Sequence, residues 1–169
     1  PALVLDRYED TGVLKLYTAA WVPHLPTLLT VIQETFPLKR LVLRLSRLAA
    51  AHPTDLHGLR NGLVLLGLPL TGPVRFREHG FQFEADPVEG QKTGFFLDQR
   101  DNRARVERLS RSGSVLDTFA YTGAFSVYAA RGGAREVTSV DASRPALEAA
   151  RRHFALNRQQ PSVSTARHQ

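Results

Sequence analysis

The chain has 169 residues, 43% of them hydrophobic, and no cysteine, which provides for a core of one domain or two small ones and excludes disulfides and thiolate metal sites. No apolar run reaches the ~18 residues of a membrane span, and the sequence reads as soluble, with no role at a membrane. The formal charge is +6 and the pI about 10.3, with 19 arginines against Lys15, Lys39 and Lys92, a balance that favours polyanions such as nucleic acid.

Residues 3–8 (LVLDRY) and 13–17 (VLKLY) are predicted strands joined by a turn at Glu9-Asp10-Thr11-Gly12. A helix follows, with Leu25, Leu28, Leu29, Ile32 and Phe36 on one face, Pro26 near its start and Pro37 ending it. Residues 41–45 (LVLRL) form a further strand, and 46–73 read as loop plus a short strand near 62–66. The runs 74–78 (VRFRE) and 81–85 (FQFEA) alternate around His79-Gly80 as a second hairpin. Residues 1–86 are therefore expected to form an α+β domain.

Beyond this point helix and strand alternate, and residues 87–169 are expected to form a second domain. Asp98 is placed to cap a helix over 98–111 that carries Arg100, Arg103, Arg105, Arg108 and Arg111, with Glu107 spaced to pair with Arg103 and Arg111. A continuous apolar strand at 114–119 reads as one buried in a parallel sheet, followed by a helix at 123–133 with Phe125, Tyr128 and Ala129 on one face. A strand at 136–141 leads to a helix capped by Ser143 that turns Leu147, Ala150 and Phe154 inward. This βαβα order opens a doubly wound sheet, giving the α/β fold class: an α+β domain followed by the first part of a Rossmann-like sheet.

Ligands of such sheets bind at the strand ends, here Asp117 and, 24 residues later, Asp141. A dinucleotide fold needs several glycines to seat a pyrophosphate, whereas this turn has only Gly123. A nicotinamide dehydrogenase is disfavoured on that ground. The single glycine suits a cofactor without phosphate, and an acid after the second strand can accept both hydroxyls of a ribose. S-adenosylmethionine meets both requirements; the competing reading of Asp141 is a helix-capping acid. "GQKTGFFLDQRDNR" (90–103) places two glycines around Lys92 and Thr93 with Phe95 and Phe96 behind. It reads either as a ligand-facing loop or as a domain seam whose phenylalanines are core.

That stretch, together with "VLDTFAYTGAFSVYAARGGA" and "VTSVDASRPALEAARRHFALN", resembles the bacterial 23S ribosomal RNA cytosine-C5 methyltransferases, densely from about Val74 to Asn157. The resemblance implies a cytoplasmic S-adenosylmethionine-dependent enzyme acting on ribosomal RNA. It also implies a central α+β domain between an RNA-recognition domain and a methyltransferase domain. Its implied cofactor contacts are Lys92, Thr93, Phe95, Phe96, Asp98, Gln99 and Arg100 in one loop. The others are Asp117, Phe119, Ala120, Tyr121, Thr122 and Gly123 at the first strand end, and Asp141, Ala142 and Ser143 at the second.

The family often has cysteine where Ala120 stands, and its Asp-Pro-Pro segment and nucleophilic cysteine lie in later strands. Only 52 residues follow Asp117, so the chain is expected to be part of a longer protein, to hold no catalytic residue and to be inactive alone. An open sheet edge is expected to favour association into homo-oligomers. A non-catalytic RNA-binding remnant is the alternative function.

Overall fold

A computed structural model describes residues 2–51 and 56–169. The chain forms two compact units. One holds the residues up to Phe76 together with Ala85–Phe95, and the other holds Arg77–Glu84 and Phe96–Gln169. The division thus falls within a hairpin, and the chain leaves the first unit, returns and leaves again.

In the first unit β1 (Leu3–Tyr8) and β2 (Thr11–Leu16) pair antiparallel about a two-residue turn, Glu9-Asp10, with Glu9 at φ 55°. Thr11 and Gly12, read as turn from sequence, already pair with β1. The helix α1 (Leu25–Thr35) carries the chain across to β3 (Arg40–Leu45), which runs parallel to β2, and β4 (Val64–Leu66) closes the order β1-β2-β3-β4. Leu25 and Ile32, two helical turns apart, are buried in a cluster with Leu14, Leu16, Leu41 and Leu43. Phe36 is not on that face: the chain is already extended there, and the ring is partly exposed. Within 46–73 there is also a short helix, α2 (Arg47–Ala50), capped by the Ser46 hydroxyl; positions 52–55 lie outside the described residues.

The strands β5 (Val74–Glu78) and β6 (Phe81–Ala85) form the hairpin, with His79 and Gly80 both at positive φ as a primed turn requires. The second unit continues through α3 (Arg100–Leu109), β7 (Ser114–Thr118), α4 (Ala124–Arg131), β8 (Glu136–Val140), α5 (Arg144–Leu156), α6 (Pro161–Thr165) and β9 (Arg167–His168). The sheet order is β7-β8-β9, all parallel, so the expected βαβα unit is present and a third strand extends it. No helix among the described residues is long and apolar enough to cross a membrane.

Three local expectations are corrected. Asp98 does not cap α3. It lies in a 3-10 turn over Leu97–Gln99, which moves the start of the α-helix to Arg100, and no side chain caps it. Glu107 pairs with neither Arg103 nor Arg111. It grips Arg131 of α4 with both carboxylate oxygens, at 2.7 and 2.8 Å, because a bidentate tertiary partner outcompetes an i,i+4 contact on one helix. The strand β7 is not buried on both faces. Asp117 faces α4, whereas Leu116 on the opposite face is 64% exposed, no described element covering it.

Buried polar groups tie the second unit together. Arg103, 1% exposed, makes a bidentate pair with Glu78, whose carboxylate also accepts from Tyr128 and Arg100. Burial alone raises the Glu78 pKa, but these donors and the Arg103 charge outweigh it and hold the pKa below the usual carboxylate range. His153 of α5 and Asn157, its C-cap, grip the backbone of β6. His153 Nε2 accepts from Glu84 N–H while Nδ1 donates to the Thr122 carbonyl, and the Asn157 amide bonds both polar groups of Gln82.

Candidate functional site

The candidate site is built where β7 and β8 end. After Thr118 the chain enters a loop in which Phe119, Tyr121 and Gly123 have φ of 59°, 49° and 68°. Left-handed conformations at two aromatic residues are costly and persist only where the surroundings impose them. Here Ala120 N–H bonds the Val140 carbonyl, Tyr121 N–H bonds Asp141 Oδ2 at 2.8 Å, and Gly123 N–H closes onto the Ala120 carbonyl. Gly123 then starts α4. A methyl group at this position would lie 2.6 Å from the Ala150 Cβ, so glycine serves both the φ and the close packing of α4 on α5.

Asp141 holds the loop from the other side. Its Oδ1 accepts from Ser143 N–H at 2.8 Å, and the Ser143 hydroxyl in turn caps α5 through Ala146 N–H. Each carboxylate oxygen thus spends one lone pair on the protein and keeps another for a ligand. The partly exposed acid is oriented by two backbone amides before any ligand arrives. That arrangement fits the vicinal hydroxyls of a ribose, and the open, single-glycine turn fits a cofactor without phosphate.

A polar chain runs inward from Asp117. Its Oδ2 accepts from Ser126 Oγ at 2.6 Å, Ser126 meets Ser139 Oγ at 2.7 Å, and Ser139 meets His168 Nε2 at 2.9 Å. With one hydrogen on each hydroxyl and Asp117 ionised, the directions are set: the His168 N–H donates to Ser139, Ser139 to Ser126, and Ser126 to Asp117. Burial, opposed by Ser126 and aided by the Asp141 charge, leaves the Asp117 pKa above the ordinary range. A cationic group brought near this carboxylate would reverse part of that shift. Ser126, Ser139 and His168 were not singled out from sequence. The available signal was a serine at the inward position of a strand and another on the packed face of a helix.

Of the residues expected to contact cofactor, Phe96, Asp117, Phe119–Gly123 and Asp141–Ser143 belong to the second unit, and most gather at this end of the sheet. The rings of Phe96 and Tyr121 meet edge-to-face at 5.3 Å, and Phe119 is 90% exposed. The Ala120 and Thr122 side chains are buried, so these residues contribute backbone. Asp98, Gln99 and Arg100 lie at the start of α3, where Gln99 bonds Asn102 and Arg100 bonds Glu78. Lys92, Thr93 and Phe95 belong to the first unit. Thr93 is buried with its hydroxyl on Asp6 and Tyr8, Phe95 packs edge-to-face on Phe76, and Lys92 is exposed at φ 51°. The segment preceding them is clamped by Arg44, which donates to the carbonyls of Pro87, Val88 and Gly90.

A parallel βαβα sheet with a single-glycine turn after its first strand and an oriented acid after its second defines a Rossmann-like nucleoside-binding domain. The sequence matches the S-adenosylmethionine-dependent methyltransferase family over residues 63–168, and the chain belongs to that family. It is 55% identical over 157 residues to a ribosomal RNA large subunit methyltransferase of Deinococcus radiodurans, covering 93% of this chain and 38% of the relative. It is 38% identical over 157 residues to ribosomal RNA large subunit methyltransferase I of Pseudoalteromonas translucida, covering 93% of this chain and 39% of the relative. The chain therefore spans about two fifths of the length of these relatives. In structure it is similar to a protein classed as a methyltransferase and solved in complex with SAH, with a TM-score of 0.82 at 25% identity, covering 99% of this chain and 40% of the other.

Proposed function

We propose that the chain is the cofactor-binding part of an S-adenosylmethionine-dependent methyltransferase that acts in the cytoplasm on cytosine C5 of large-subunit ribosomal RNA. The observation that carries the cofactor reading is Asp141, held by Tyr121 N–H and Ser143 N–H with a lone pair left on each oxygen. The names of the relatives at 55% and 38% identity support the RNA substrate.

When bound, the cofactor supplies an electrophilic methyl group on a sulfonium. The chain's own residues bind and orient. Asp141 accepts the ribose hydroxyls, with Ala142 and Ser143 beside it. Gly123 admits close approach of backbone, and the Asp117 carboxylate attracts the ammonium of the amino-acid tail. Phe119 and Tyr121 flank the opening, while Arg100 is the candidate within this unit for a carboxylate or phosphate.

Methylation at cytosine C5 needs more than this. C5 is a poor nucleophile until a thiolate has added to C6, and a base must then remove the C5 proton. These 169 residues include no cysteine, so the thiolate is not among them. Calorimetry with S-adenosylhomocysteine, with NADH as a control, tests the cofactor reading. Micromolar binding of S-adenosylhomocysteine that weakens markedly in Asp141→Ala is the expected result, and tighter binding of NADH would overturn it. Incubation with tritiated S-adenosylmethionine and unmodified ribosomal RNA should give no 5-methylcytidine from this chain.

A further inference from the structure

In the second unit a cleft of about 670 Å³ lies between α5, α6 and β9, lined by Arg151, Phe154, Arg158, Ser164 and His168 among others. It is built at the far end of α5 from Ser143 and Asp141, so it is not part of the strand-end site. Its lining includes two arginines and no carboxylate.

The arginines on this helix and just after it fall into two classes. Arg144 pairs with Glu148 at 3.1 Å and Arg152 with Glu84 at 3.2 Å. Arg151 and Arg158, both exposed and both on the cleft, have no acidic partner among the described residues. Arg151 lies on α5 and Arg158 in the turn just past its C-cap Asn157, and both line the one cleft. An unpaired guanidinium presents a planar fork of donors that matches phosphate oxygens, and two such forks on a carboxylate-free wall attract an anion with more than one charged centre. The floor is preformed: the His168 ring stacks on Phe154 at 3.7 Å with its Nε2 engaged by Ser139, so the wall behind the arginines does not need to be ordered by a ligand.

We propose that this cleft is a second RNA-contact surface, at which Arg151 and Arg158 hold consecutive parts of a phosphodiester backbone while the strand-end site serves the cofactor. The inference rests on the RNA reading given above. It adds a location, a pair of residues and a mode of binding through phosphate rather than base.

The test uses the 169-residue chain, a fluorescent RNA hairpin from the large-subunit ribosomal RNA and two charge-matched double variants. Arg151→Ala/Arg158→Ala removes the unpaired arginines, and Arg144→Ala/Arg152→Ala removes the paired ones of α5. Anisotropy titrations across a salt series should show the first variant about tenfold weaker in RNA binding. Its log Kd against log salt slope should be shallower by roughly one to two, whereas the second variant should stay close to the parent. Calorimetry with S-adenosylhomocysteine should be unchanged in both, which shows that they fold. Equal losses in the two variants, or none in the first, would overturn the cleft while leaving the RNA reading intact. A parent chain that binds no RNA would overturn both. ATP binding more tightly than the hairpin and responding to the first variant alone would reassign the cleft to free nucleotides.

Discussion

The carboxylate of Asp141 accepts the backbone N–H of Tyr121 at 2.8 Å, so the acid that follows β8 also fixes the loop that follows β7. One side chain therefore joins the two strand ends that a ligand would bridge. Asp141→Ala is expected to lose two ligand hydrogen bonds to a charged acceptor and this tether together. A loss of about 2 kcal/mol in S-adenosylhomocysteine affinity follows, some thirtyfold in Kd. Asp141→Asn, which keeps one acceptor, should fall between the two. Calorimetry on the folded variants decides it, and equal affinities for parent and alanine variant would remove Asp141 from the site.

Gly123 is expected to tolerate no side chain. Its φ of 68° and the 2.6 Å approach of a built methyl to Ala150 Cβ act independently, so Gly123→Ala should destabilise the chain by about 1–3 kcal/mol. The double variant Gly123→Ala/Ala150→Gly relieves the clash but leaves the strained φ and adds a glycine inside α5. Its urea midpoint should not return to that of the parent. A full return would mean that packing alone requires the glycine.

The Glu78–Arg103 pair should behave as a buried ion pair. Both side chains are essentially inaccessible, and Arg103→Leu leaves the Glu78 charge with only Arg100 and Tyr128. We expect a loss of about 3–5 kcal/mol, against less than ~1 kcal/mol for Arg100→Ala, whose side chain is half exposed. Urea denaturation of the two variants side by side measures the contrast, and comparable losses would contradict it.

The contrast between these residues also shows what the sequence could reveal. The order β7–α4–β8–α5 was legible because period-2 and period-3.6 patterns are local, and so were the Ser143 cap and the placement of Asp117 and Asp141 at strand ends. Partner choice was not legible. Glu107 stood at helical spacing from Arg103, yet each found its partner elsewhere, Arg131 and Glu78, at separations of 24 and 25 residues. The grip of His153 and Asn157 on β6, across 69 and 75 residues, uses types that also occur in solvent-facing helices. Residues 90–103 suit either a ligand-facing loop or a domain seam by sequence, and the burial of Thr93 and Phe95 in the first unit gives those two residues packing roles there.

Acid should destabilise the second unit through His153 and His168 before Glu78 loses its charge. Burial lowers the pKa of His153 below the ordinary 6.5 against the pull of its two backbone partners. Burial, with Arg151 adding to it, lowers that of His168 to about 4. A folded-state pKa below the unfolded one contributes stability that is complete above the unfolded value and is lost as pH falls toward the folded value. The window therefore opens near pH 6.5 and, for His168, extends to about 4. Glu78, with its lowered pKa, loses its contribution only below 4.5. Asp117, with its raised pKa, works in the opposite direction and offsets part of the fall. Urea midpoints followed by far-ultraviolet circular dichroism should thus decline from pH 7.5 to pH 5. The decline should flatten in His153→Gln/His168→Gln, because an amide offers a donor and an acceptor without taking up a proton. A slope as steep in the double variant as in the parent would show that other groups carry the acid response.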